Sequence, residues 1–284
     1  MPELPEVEIV RQGLQSCTLA LPMAGGVVAH PRSIAHPPDP DRFLAGLVGS
    51  HLKCWERRGK YLLGHLVRGG RPAGVWVVHL RMTGQLLWLS QSEPVTSHTR
   101  VRLFFPDGQE LRFVDQRTFG QMWWVPPDLA LSAVIPTLGH LGPEPLGEDC
   151  TPAYLAAHLG TRQRPLKTAL LDQTLIAGLG NIYADEALFC SRLHPQRPCH
   201  SLHPWEWTQL HAAIRRVLTD SLAAGGSTLS HFRHVRGMQG HYKVQAWVYG
   251  RTGQPCRQCA TPIQRLRLAG RSSHFCPRCQ PSVE

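Results

Sequence analysis

Near the end of a 284-residue chain, Cys256 and Cys259 are followed after sixteen residues by Cys276 and Cys279. Two Cys-x2-Cys pairs at this separation match the two-turn spacing of a structural zinc site, because each pair presents two thiolates and two turns complete a tetrahedron. All four ligands would come from the protein. No position is left for a reactive water, so one such Zn2+ would hold a fold rather than do chemistry. Arg251, Arg257, Arg265, Arg267, Arg271 and Arg278 surround the motif and would suit a phosphate backbone. A pair of redox Cys-x-x-Cys motifs is the competing reading. The other five cysteines (Cys17, Cys54, Cys150, Cys190 and Cys199) lack ligand spacing and read as core or surface thiols.

The opposite end, MPELPEVE, carries a different possibility. Inside a chain a proline nitrogen is a tertiary amide with no nucleophilic lone pair. With Met1 removed, Pro2 becomes a secondary amine, and an α-amino group of pKa about 7.7–8.0 is neutral in roughly a tenth of molecules at pH 7. Attack on C1′ of a damaged nucleotide would expel the base and leave an iminium with a fixed positive charge, an electron sink. Loss of the C2′ proton would then break the 3′ phosphate bond. Glu3 can shuttle protons at the sugar, and Glu6 lies one helical turn further on. Taken alone, the tripeptide reads more readily as the start of a capped helix.

These groups need elements to position them. Pro5 suits a first helical turn, and Val7, Val10 and Leu14 follow at helix spacing. Residues 55–125 read as strands. His79–Met82 and Gln85–Leu89 flank a tight turn at Thr83-Gly84, while Arg100–Leu103 and Glu110–Phe113 alternate around Pro106-Asp107-Gly108, a hairpin signal. This half is expected to form an antiparallel sandwich or barrel-like domain with arginines on one face of some strands. Prolines 126, 127, 136, 143 and 145 interrupt regular structure up to residue 150. Thr151-Pro152 can cap a new helix, and Leu210, Ile214, Val217 and Leu218 mark another, ended by Gly225-Gly226.

Composition narrows the class. A formal charge of +10 and only four lysines (Lys53, Lys60, Lys167 and Lys243) among thirty basic residues favour nucleic acid over a membrane surface, since arginine forks match phosphates and base edges. Arginine enrichment through base composition of the genome is the bland alternative. No run approaches the roughly 20 apolar residues of a membrane span, and the acidic start is no signal peptide, so an intracellular, cytoplasmic protein without a membrane partner is expected.

Read in order, MPELPEVE, Arg57–Leu62, His79–Gly84, Gly178–Glu186 and the four-cysteine segment resemble bacterial formamidopyrimidine-DNA glycosylases over essentially the whole chain. The resemblance implies an α+β protein. Residues 1–130 would be a catalytic β-sandwich with an N-terminal helix, 131–150 a linker, and 151–245 a helix–two-turns–helix domain with a lesion-recognition loop. A β-hairpin zinc finger would occupy 246–284. It implies excision of 8-oxoguanine and formamidopyrimidines from duplex DNA, strand cleavage at abasic sites by β,δ-elimination, and a monomeric enzyme. An endonuclease VIII-like enzyme for oxidised pyrimidines is the alternative, and a non-catalytic zinc-ribbon DNA binder a more distant one.

By the same resemblance, Pro2 is the Schiff-base nucleophile, Glu3 the catalytic acid and Glu6 a supporting acid. Lys60 assists elimination at the lesion phosphate. His79, Asn181 and Arg271 grip phosphates flanking the extruded nucleotide, and Lys167 handles oxidised purines. Met82 and Phe119 fill and wedge the gap while Arg117 pairs with the orphaned cytosine, because unstacking a base costs a few kcal/mol that inserted groups must offset. Thr118 stands where many relatives carry a second arginine, which predicts slightly weaker backbone contact. Residues 226–242 align with the loop that closes over the lesion, Gly237 and Gly240 supplying hinges, and 231–236 are more basic than usual.

Overall fold

A computed structural model describes residues 1–227, 235 and 245–282. They form two compact units: 1–139 with the described residues of 225–241, and 140–224 with the described residues from 245 onward.

The first unit begins with helix α1, Leu4–Thr18, whose first turn carries Pro5 and whose inner face buries Val7, Val10 and Leu14 completely. Strands β1 (Gly25–Val28) and β2 (Ile34–His36) precede helix α2 (Pro40–Leu47). Seven more strands follow: β3 (His51–Arg58), β4 (Tyr61–Arg68), β5 (Arg71–His79), β6 (Gln85–Ser90), β7 (Thr99–Phe104), β8 (Gln109–Val114) and β9 (Gln121–Val125). They make two sheets, ordered β1-β7-β8-β6 and β2-β9-β5-β4-β3. Every pairing is antiparallel except β2 with β9. Leu86, Leu103 and Phe113 from one sheet meet Trp55, Trp76 and Val78 from the other, with α1 packed into the same core. Of the sandwich and barrel that strand alternation allowed, the sandwich is present, and with α1 it gives the α+β class that the resemblance implies.

The Pro106–Gly108 turn joins β7 to β8 as a hairpin, with Asp107 and Gly108 at positive φ. The Thr83-Gly84 turn has another job. Gly84 N–H closes on Leu80 O at 3.0 Å, yet β5 and β6 lie in different sheets, so the turn is a crossover whose tip carries Met82. Strand charges also turn inward. Buried Glu110 accepts Arg102 Nε at 2.8 Å and Arg112 Nε at 2.5 Å, and Arg112 donates onward to Pro94 O and Glu93 O. A charge set satisfied in this way is structural. Two one-turn helices, α3 (Leu131–Val134) and α4 (Pro136–Gly139), occupy part of the stretch expected to be irregular; Pro136 fits the start of a turn, where its missing N–H is unneeded.

The second unit holds α5 (Pro152–Leu159), α6 (Leu166–Leu170), α7 (Asn181–Cys190), α8 (Pro204–Ala223) and a hairpin of β10 (Gln264–Leu268) with β11 (Arg271–Phe275). Thr151 Oγ1 caps α5 by accepting Tyr154 N–H at 3.0 Å. Leu210, Ile214, Val217 and Leu218 all lie on the buried face of α8. Among the described residues no helix is long and apolar enough to cross a membrane.

Candidate functional site

In the first unit, α1 starts at a capping box: Glu3 N–H donates to Glu6 Oε2 at 2.8 Å, and the Glu3 side chain reciprocates toward the Glu6 backbone. The other Glu6 oxygen accepts both the Ser227 N–H at 2.8 Å and its hydroxyl at 2.9 Å. Pro2, Glu3 and Glu6 are all buried. Burial pushes the Met1 amine below its ordinary value of 8.0; Glu3 and Glu6 pull it up, while Lys60 and Arg117 push it down. The chain terminus therefore sits in the field of four of the residues singled out from sequence.

Lys60 stands on a two-residue hairpin turn between β3 and β4, where Arg58 pairs with Tyr61 and Gly59 supplies a φ of 55°. That turn is tied to α1. Glu8 Oε2 accepts Arg57 Nε at 3.1 Å, and Arg57 Nη1 donates to Gly59 O at 3.0 Å. Burial alone would raise the Glu8 carboxyl, but the hydrogen bond from Arg11 and the charges of Arg11 and Arg57 leave it lower than usual.

His79 ends β5, its ring edge-on to Tyr61 at 4.6 Å. Burial first, then the charges of Arg81 and Lys60, lower its pKa to about 3. It is neutral at physiological pH. Nδ1 accepts the Arg81 N–H at 3.0 Å, which assigns the ring proton to Nε2. A neutral donor of this kind can hydrogen-bond a phosphate oxygen without contributing a charge.

Met82, Arg117 and Phe119 come from two loops gathered by Asp115. This fully buried carboxylate takes the Thr83 hydroxyl and the Arg117 N–H (3.2 Å) on one oxygen and the Gly120 N–H (2.7 Å) on the other. Any side chain at position 120 would meet Phe113 at 2.5 Å, so this approach needs glycine. The Arg117 guanidinium lies 4.7 Å from the Phe119 ring centroid. Met82 is 41% exposed and Phe119 51%, so neither belongs to the hydrophobic core. A cavity of about 500 Å³ is lined by Met1 together with Met82, Thr118 and Phe119, so the chain start and the exposed apolar pair border one space.

In the second unit, Asn181 opens α7 and its Nδ2 donates to Ser272 O at 3.0 Å. Arg271 is exposed, immediately after the two-residue turn Ala269-Gly270, whose φ values are 46° and 78°. Lys167 lies enclosed on α6. It is 1% exposed, its Nζ 2.7 Å from Asn181 O and 2.5 Å from Asp185 Oδ1, while Asp185 also accepts the Ser273 hydroxyl and the His274 N–H. Its ammonium ties α6 to α7 and, through Asp185, to β11.

The four cysteines converge. Sγ–Sγ distances are 3.9 Å for Cys256–Cys279 and 3.5 Å from Cys259 to both Cys276 and Cys279. A tetrahedron with Zn–S bonds of about 2.3 Å has edges of roughly 3.8 Å, so the set fits zinc. Gln258 N–H and Cys279 N–H approach Cys256 Sγ and Cys276 Sγ at 3.4 and 3.5 Å, as thiolate ligands require. This is one structural zinc site.

Residues 1–122 match the formamidopyrimidine-DNA glycosylase N-terminal domain, 141–233 the H2TH domain of the same enzymes, and 253–281 the zinc finger found in FPG and IleRS. A formamidopyrimidine-DNA glycosylase of a Synechococcus strain is 57% identical over 99% of both chains. The chain belongs to the formamidopyrimidine-DNA glycosylase family. Two structures of the Lactococcus lactis Fpg, each 31% identical and covering 99% of this chain and 100% of their own, superpose on it. The one bound to FAPY-dG DNA has a TM-score of 0.88, and the one bound to abasic-site DNA 0.89.

Asp115, Glu8, Arg57, Asp185 and Ser227 are positions to which the sequence alone assigns no individual role. Each acts through a long-range hydrogen bond. Asp115 alone had a local hint, standing two residues before Arg117 in a Gly-terminated loop. Of the lesion-recognition segment, 228–234 and 236–242, including Gly237 and Gly240, lie outside the described residues.

Proposed function

We propose that this chain is a bifunctional DNA glycosylase and abasic-site lyase that removes 8-oxoguanine and formamidopyrimidines from duplex DNA. It acts as a cytoplasmic, nucleoid-associated monomer. The observation that carries the reading is the setting of the chain start, where the terminal amine is partly desolvated between Glu3, Glu6, Lys60 and Arg117 beside a cavity bordered by Met82 and Phe119.

With Met1 removed, the Pro2 nitrogen takes over that setting, and a lowered pKa enlarges its neutral, nucleophilic fraction. Its lone pair attacks C1′ and the glycosidic electrons leave with the base, which takes up a proton. Glu3 moves a proton at the sugar. The amine then loses its proton and the C1′–O4′ bond opens, O4′ taking the proton that Glu3 delivers, to leave an iminium whose positive charge acidifies C2′–H; loss of that proton expels the 3′ phosphate, and a second elimination expels the 5′ phosphate. Glu6 is a positioning residue, since its oxygens hold the Glu3 backbone and Ser227. Lys60 meets the lesion phosphate as a cation, and His79 supports phosphate binding through Nε2–H.

Met82 and Phe119 occupy the space left by the extruded nucleotide and Arg117 meets the orphaned cytosine. Exposed apolar side chains have that use when a duplex must be held open. In the second unit Asn181 and Arg271 grip phosphates, and Lys167 positions them from behind. The zinc holds the hairpin on which Arg271 stands. The Lactococcus lactis complex with FAPY-dG DNA supports the purine lesion class.

Excision rates on 8-oxoguanine:cytosine and thymine-glycol duplexes test this assignment. Faster release of 8-oxoguanine is expected; faster release of the oxidised pyrimidine would move the chain to an endonuclease VIII-like activity.

A further inference from the structure

Cys54 has no ligand spacing in the linear sequence, but the sheet gives it partners. In the β3–β4 pairing Cys54 lies opposite His65, Trp55 opposite Gly64 and Glu56 opposite Leu63. Side chains alternate across a strand, so Cys54, Glu56 and His65 project from one face while Trp55 enters the core on the other. One potential ligand atom from each of the three lies within 4.8 Å of the other two. His65 Nε2 is 3.1 Å from Glu56 Oε2. That nitrogen is shielded from solvent and has no hydrogen-bond partner, although its ring is one-third exposed.

We propose that Cys54, Glu56 and His65 form a second metal site, separate from the four-cysteine site and suited to a borderline-soft divalent cation, zinc first. Thiolate, carboxylate and imidazole are all zinc ligands, and bonds of about 2.0–2.3 Å to them put neighbouring donors roughly 3.3–3.6 Å apart. The carboxylate oxygen and the imidazole nitrogen, 3.1 Å apart, need separate by only a few tenths of an ångström to reach that spacing. A cation between them would also supply the partner that the buried nitrogen lacks, since burying a polar atom without one costs free energy.

Three protein ligands leave a fourth position open. Glu56 is well exposed and borders a surface cavity of about 460 Å³ with Arg57, Arg58, Leu63 and Leu138, so water can reach that position. The ion is therefore expected to exchange with solvent far faster than the enclosed four-thiolate zinc. Binding converts the Cys54 thiol to thiolate and releases one proton to the buffer.

The test is metal stoichiometry of the full chain with its zinc finger loaded, measured by elemental analysis after dialysis against buffered free zinc. The wild type should hold two ions per chain, one removed by a weak chelator that leaves the other in place. Cys54→Ser and His65→Gln should each hold one, and Cys17→Ser two. Cobalt added to the zinc-loaded wild type should give a thiolate charge-transfer band that Cys54→Ser lacks. Because Glu56 is exposed, Glu56→Gln keeps the fold and should weaken the second site by at least about tenfold, the loss that follows removal of even an outer-shell partner. One ion per chain in the wild type would overturn the proposal, as would two ions in the Cys54→Ser, His65→Gln double variant.

Discussion

The Glu6 carboxylate holds Ser227 by both its N–H and its hydroxyl, at 2.8 and 2.9 Å, across 221 positions of sequence. Its second oxygen takes the Glu3 N–H, so one side chain fixes both the start of α1 and Ser227, which lies in the segment 226–242 proposed to close over the lesion. Glu6→Gln keeps the shape but turns one acceptor into an N–H2 group facing a donor. A stability loss of about 1–3 kcal/mol is expected, with a fall in excision rate. Chemical denaturation and single-turnover kinetics check it; wild-type values in both would remove the positioning role.

Asp115 gathers Thr83, Arg117 and Gly120, and so brings Met82 and Phe119 to one place. Asp115→Asn leaves one of those donors facing an amide N–H2, at about 1–3 kcal/mol. With 1.36 kcal/mol per factor of ten, excision of 8-oxoguanine should slow roughly tenfold to a hundredfold. Cleavage at a preformed abasic site, where no base has to be extracted, should change only a few-fold. Equal losses on the two substrates would contradict the wedge role.

Lys167 and Asp185 are each 1% exposed, so Lys167→Met strands a buried carboxylate. Removing one partner of such a pair costs about 3–5 kcal/mol. The thermal midpoint should fall sharply while the salt dependence of DNA binding by the folded fraction keeps its slope. Arg271→Ala should do the reverse, lowering the slope by about one with little change in stability. A reduced slope with normal stability in Lys167→Met would restore direct DNA contact.

His79 gives a pH signature. Its folded pKa is depressed to about 3 from an ordinary 6.5, so the unfolded chain binds a proton that the folded chain refuses between those values. This contribution to stability is fully present above pH 6.5 and is lost as pH falls, by up to about 1.4 kcal/mol per pH unit. Denaturation of wild type and His79→Gln between about pH 4 and 8 should show the wild type losing stability faster on acidification. A His79 ring resonance titrating near 6.5 would refute it.

Legibility in the sequence followed the range of the interaction. Val7, Val10 and Leu14 betrayed α1 because helix burial is periodic, and Cys256 to Cys279 betrayed zinc because its ligands come in close pairs. Met82 and Phe119 were assigned through resemblance, since apolar side chains in isolation read as core. Nothing near Lys167 in sequence announces Asp185 as its partner. Asp115, Ser227 and the Cys54–His65 pairing depend on strand register and chain crossings that local patterns do not encode. The Thr83-Gly84 turn carried its turn chemistry plainly, but not which sheet each flanking strand would join.

The central claim is that the Pro2 nitrogen forms the covalent intermediate. Borohydride reduction during reaction with 8-oxoguanine duplex DNA, followed by mass spectrometric mapping of the cross-linked peptide, tests it most directly. A stable adduct on the Pro2 nitrogen is expected in chains that lack Met1, and little adduct in chains that retain it. An adduct mapped to Lys60 or another lysine, or full trapping by chains that keep Met1, would contradict it.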